Sequence, residues 1–70
     1  MNLVEVKEGS TVVVEGFSGD EGLFQRIEAM GLRRGRKVEV LKKVGRNLLL
    51  RLNNSRLVIS KDIASKVIVQ

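Results

Sequence analysis

Leu48-Leu49-Leu50-Arg51-Leu52-Asn53-Asn54-Ser55-Arg56-Leu57-Val58-Ile59 is the stretch on which the fold turns. Leu48, Leu50 and Leu52 fall on one face of a strand, with Leu49 and Arg51 opposite. Leu57 and Ile59 return on the next strand. Asn53-Asn54-Ser55 is too short for a parallel crossover, and Asn tolerates positive φ, so the pair is an antiparallel hairpin.

Working upstream, Gly45-Arg46-Asn47 turns the chain, and Lys37-Val38-Glu39-Val40 alternates as a half-buried strand. The alternation slips at Leu41-Lys42, which predicts a bulge or a change of buried face. Val12-Val13-Val14, after a Gly9-Ser10 turn, reads as a β-branched strand running into Glu15 and Gly16. Between these strands lies a helix. Ser18-Gly19-Asp20-Glu21 matches a capping box with Ser18 at the cap. Leu23, Ile27 and Met30 share one helical stripe, Phe24 adjoins it, and Gly31 stands where a left-handed stop belongs. Asp20 and Glu21 at its start, and Arg33 and Arg34 past its end, complement the helix dipole. Downstream, Ser60-Lys61-Asp62 starts a brief helical turn carrying Ile63 and Ala64, and Val67-Ile68-Val69 closes the chain as a strand.

Five short strands with one helix inserted after the first cannot form βαβ units throughout. The expected architecture is mainly β: a five-stranded SH3-like barrel in one domain over residues 1–70, because closure removes exposed strand edges.

A chain of seventy residues buries only about 60% of the surface its unfolded form exposes, so it normally needs disulfides, a metal or a partner. Cysteine and histidine are both absent, which excludes disulfides and the usual zinc ligands. Aliphatic side chains must supply the core, and 43% hydrophobic content allows it. No apolar run approaches a membrane span and the first residues lack a signal-peptide pattern, so a soluble cytoplasmic protein without membrane insertion is expected. Charge is segregated. Residues 1–30 carry two basic against six acidic residues, whereas 31–70 carry eleven basic against Glu39 and Asp62.

The order of strand, glycine-rich loop, helix ending Met30-Gly31-Leu32, Arg33-Arg34-Gly35 and Val38-Glu39-Val40 resembles the FeoA family, whose most recognisable stretch is a helix ending MGL, two variable residues, a Gly and a strand. Ser60 to Val69 is similar to the family's closing segment. Many members place a Gly-Asp-Pro-like turn between the middle strands, where this chain has Gly45-Arg46-Asn47 and no proline. The resemblance implies an SH3-like fold and an accessory role, through protein–protein interaction, to FeoB, the membrane ferrous-iron transporter with a GTP-binding domain. The family as a whole is associated with transition metal ions.

Without His or Cys, no motif here carries an acid–base or nucleophilic mechanism, so neither an enzyme nor a cofactor is expected. Gly16, Gly19 and Gly22 superficially resemble a phosphate cradle, but Asp20 and Glu21 oppose phosphate and no Lys-Ser/Thr follows. Ferrous iron and zinc favour imidazole and thiolate, leaving only a carboxylate site at Glu15, Asp20 and Glu21; the chain is expected to serve iron uptake without holding iron. The basic tract 33–46 (Arg33, Arg34, Arg36, Lys37, Lys42, Lys43, Arg46) offers an alternative role as a nucleic-acid-binding barrel, although it contains no stacking aromatic residue. Leu23, Ile27 and Met30 most simply pack on the barrel. Phe24 and Leu32 widen that apolar surface, which makes Phe24, Ile27, Met30, Leu32, Arg33 and Arg34 the expected partner-binding set. Self-association through a strand edge would give a homo-oligomer.

Overall fold

The computed structural model describes all residues from Met1 to Gln70. A 3-10 turn at Leu3–Glu5 precedes β1 (Thr11–Phe17), α1 (Glu21–Ala29), β2 (Lys37–Val44), β3 (Asn47–Leu52), β4 (Ser55–Ser60), α2 (Lys61–Ala64) and β5 (Val67–Val69). The strands form one antiparallel sheet in the order β4-β3-β2-β1-β5.

Alternation decides which side chains enter the core. Val12 and Val14 of β1, Val38 and Val40 of β2, and Leu48, Leu50 and Leu52 of β3 all point inward and are buried. Ile59, Val67 and Val69 join them from β4 and β5. Leu3, Val6, Ile27, Leu32 and Ala64 complete a single cluster that contains no buried polar or charged side chain. The expected bulge is present: the β2–β3 register shifts between Val40 and Lys42, so Leu41 is the extra residue. A second shift between Val14 and Gly16 bends β1 where it leaves β2 for β5.

Both hairpin loops are one residue shorter than the sequence reading. Asn47 already pairs with Val44 and Ser55 with Leu52, leaving Gly45-Arg46 and Asn53-Asn54 as the loops. Each has positive φ at its first residue only, 57° at Gly45 and 48° at Asn53, as in a II′ turn, whose twist suits paired strands.

Two further expectations are corrected. First, the helix cap is Asp20, whose carboxylate accepts from the Leu23 N–H at 2.8 Å. Ser18 sits too far back; its own N–H donates to the Lys66 carbonyl at 2.7 Å, tying it to the segment before β5. Second, the sheet is not closed into a full barrel, because β4 and β5 do not pair. The second edge of the three-residue β5 is taken by the N-terminal residues through the Asn2–Ile68 bridge, and the four-residue α2 fills the step from β4. That helix packs against β3, β4 and the N-terminal turn, covering the open seam with side chains in place of a ladder. The N-terminal residues, on whose structure the sequence reading is silent, are ordered as well. Asn2 and Glu5 form a capping box around the 3-10 turn, Leu3 is fully buried, and the Val69 N–H donates to the Met1 carbonyl at 2.8 Å, blunting the edge of β5.

Candidate functional site

The end of α1 organises the site. Met30 is the last residue in helical conformation and Gly31 follows at φ 102°. The Gly31 N–H donates to the Glu28 carbonyl at 2.9 Å and the Leu32 N–H to the Ile27 carbonyl at 3.2 Å. This pair of bonds is a Schellman motif, and its customary apolar contact is met by Ile27 and Leu32, both fully buried. The turn that follows is fastened to β1: the Gly35 N–H donates to the Val14 carbonyl at 2.8 Å, and the Val14 N–H to the Arg36 carbonyl at 3.0 Å.

Arg34 is thereby carried back across β1 towards α1. Its guanidinium carbon lies 5.6 Å from the centroid of the Phe24 ring, within cation–π range. Phe24 in turn meets Phe17 edge to face, with centroids 4.7 Å apart and planes at 88°. Gly16 leaves room for this: a Cβ there would lie 3.8 Å from Arg34 Nε. The result is a layered group of Phe17, Phe24 and Arg34, with both rings half-buried and the guanidinium exposed. Arg33 is exposed beside it, and Met30 is half-buried at the core's margin.

The expected partner-binding set is therefore split. Phe24, Met30, Arg33 and Arg34 lie at the surface or its margin. Ile27 and Leu32 have no exposed surface and cannot meet a partner; the Schellman turn folds them inward as mutual contacts. Phe17 lies outside the expected set and joins the group through its edge-to-face contact with Phe24. The available signal was that the chain's only two aromatic residues flank one glycine-rich loop.

The basic tract 33–46 is also divided. Eight residues of β2 separate Arg36 from the Gly45-Arg46 loop, about 25 Å of strand. At the far end Lys43 is committed to structure: its Nζ donates to the Val4 carbonyl at 2.7 Å and its backbone N–H to Glu8 Oε2 at 2.6 Å. The glycines do not form a phosphate loop, since Gly16 lies in β1, Gly22 lies in α1 and Asp20 occupies the helix start. The residues do not fit a zinc or ferrous site either: imidazole and thiolate are missing, and no three carboxylates converge. No helix is long and apolar enough to cross a membrane.

Similar solved structures carry the same arrangement of elements. An iron uptake regulatory protein, FeoA, superposes with a TM-score of 0.90 at 28% identity, covering 99% of this chain and 92% of that one. A FeoA-like protein from Clostridium acetobutylicum gives 0.90 at 29% identity, with 100% and 84% covered. The zinc complex of Stenotrophomonas maltophilia FeoA, described as a prokaryotic SH3 domain protein, gives 0.85 at 24% identity over 100% and 89%, a likeness of fold. A search of the curated proteins found no match. The FeoA domain model matches residues 1–70, every residue whose packing has been described, and the chain belongs to the FeoA domain family, which is associated with ferrous iron transport.

Proposed function

We propose that this protein is a non-catalytic, cytoplasmic accessory factor of ferrous-iron uptake that binds the cytoplasmic region of a FeoB-type transporter. The observation that carries the reading is the Phe17–Phe24–Arg34 group on a domain of this family. Aromatic residues and arginine dominate the energetics of protein interfaces. Here the guanidinium is held over a ring before any partner arrives, which reduces the side-chain entropy lost on binding. Met30 and Arg33 extend the patch. Regulation would arise from unequal affinity for the transporter's conformational states, since a ligand shifts an equilibrium only by that difference. Iron passes through the transporter, and this chain acts without holding it.

The test is a calorimetric titration of the protein against the transporter's cytoplasmic region at physiological salt, with and without guanine nucleotide. Saturable binding is expected, weakened about tenfold or more by Arg34→Glu and by Phe24→Ala. Circular dichroism establishes that both variants remain folded. Undiminished binding by both folded variants would exclude this surface, and no binding to full-length transporter in membranes would exclude the role.

A further inference from the structure

The two edges of the sheet are finished differently. At β5 the outer edge is taken, since Asn2 bridges Ile68 and the Val69 N–H donates to the Met1 carbonyl at 2.8 Å. At β4 it is open. The Lys61 N–H donates to the Arg46 carbonyl at 2.8 Å, which fixes the alternation of the β3–β4 ladder. Ser55, Leu57 and Ile59 therefore direct their backbone groups at β3. Arg56 and Val58 direct theirs away from the sheet, where nothing in the fold takes them. The usual guards of a strand edge are few here. β4 has no proline, its register with β3 is unbroken, and its inward residues Leu57 and Ile59 are apolar. Val58 points outward and is 61% exposed.

We propose that this edge pairs with the β4 edge of a second copy, antiparallel and centred on Val58. In that register the two Val58 residues exchange both backbone hydrogen bonds, Arg56 faces Ser60, and Leu57 faces Ile59. The sequence selects this centre and a like partner. A centre on Arg56 would set two guanidinium groups directly opposite each other. A centre on Ser60 would drive the incoming strand into α2, which starts at Lys61. Centres on Leu57 or Ile59 present groups already bonded to β3. With Val58 at the centre, Leu49 stands beside it on β3, so four apolar side chains run in a row across the two-fold axis. β4 is three strands from β1 in the sheet, so Phe17 stays free and a dimer presents the aromatic group twice.

The chain has no cysteine, so single cysteines report the register. A hydrogen-bonded antiparallel pair holds its Cα atoms about 5.5 Å apart, within disulfide reach. Two Arg56 residues would lie four residues apart along the strands, about 13 Å, and out of reach. Under mild oxidation at physiological salt, Val58→Cys should cross-link at least about tenfold faster than Arg56→Cys or Val44→Cys, the latter 59% exposed on β2. A contact this small implies a Kd on the order of 0.1–1 mM, so translational diffusion of the unmodified protein should slow as concentration rises through that range. Val58→Lys should remain folded and monomeric. The proposal is overturned if the protein stays monomeric throughout, if Val58→Cys cross-links no faster than Val44→Cys, or if Arg56→Cys matches it. It is also overturned if the transporter's cytoplasmic region shifts the amides of residues 55–60 while the protein alone stays monomeric, which would give the edge to a different occupant.

Discussion

Replacing Gly31 with alanine tests whether the Schellman turn holds the fold together. At φ 102° an L-residue meets its own backbone, at a cost of roughly 1–2 kcal/mol. The new Cβ would also lie 3.2 Å from Leu52 Cδ1. Leu52 is only 3% exposed within the core cluster, so it has little room to withdraw, adding about 1 kcal/mol of overpacking. The sum, about 2–3 kcal/mol, is set against a total stability of roughly 4–10 kcal/mol for a chain this long. The midpoint of thermal unfolding should fall by on the order of 10–20 °C. The chain lacks Trp and Tyr, so the assay is urea and thermal unfolding followed by far-ultraviolet circular dichroism. Gly35→Ala is the control. Its φ of 86° carries the backbone cost alone, because a Cβ there meets nothing within 4 Å. If Gly31→Ala lies within about 0.5 kcal/mol of the parent, the turn argument fails. If it merely equals Gly35→Ala, the Leu52 contact contributes nothing.

Other substitutions probe separate parts of the reasoning. Asp20→Ala should cost about 1 kcal/mol by removing the carboxylate that accepts from Leu23, while Ser18→Ala should stay within about 0.5 kcal/mol; the reverse order in urea midpoints would restore Ser18 as the cap. Ile27→Asp should abolish cooperative unfolding, because it buries a charge without a partner; a well-dispersed amide spectrum for that variant would contradict the burial assigned to Ile27. Glu39→Gln should change stability by less than about 1 kcal/mol despite the 2.6 Å ion pair, since the Arg51 side chain is 53% exposed; a loss of twice that would show a stronger bridge.

Sequence patterning revealed the strands because each inward face is a run of aliphatic residues at period two, as in Leu48, Leu50 and Leu52. It also exposed the Leu41 bulge, where the period breaks. What it missed depended on partners distant in the chain. Ser18 and Asp20 are equally good caps in isolation, and the choice is made by Lys66, which takes the Ser18 N–H. Closure of the sheet could not be read from strand count, since it depends on where the three residues of β5 find a ladder. Leu32 looked like additional exposed surface because helical spacing says nothing of residues beyond the helix stop; the turn at Gly31 reverses the chain and buries it.

The same turn explains why Gly31 and Leu32, within the most recognisable stretch of the chain, lie outside its candidate partner surface. Met30-Gly31-Leu32 is constrained by geometry: a residue that ends the helix, one that accepts positive φ, and one that fills the core against Ile27. None of these requirements involves a partner. They fix the path of the backbone, so that the Gly35 and Val14 N–H groups can pin the following turn to β1. Arg34 is then delivered to Phe24 by a scaffold whose signature lies three residues earlier. A chain could keep that signature and lose Arg34, which is exposed, with little harm to its fold. Differences in partner affinity between similar FeoA domains should accordingly follow the residues at positions 17, 24 and 34, and not the glycine motif that identifies them.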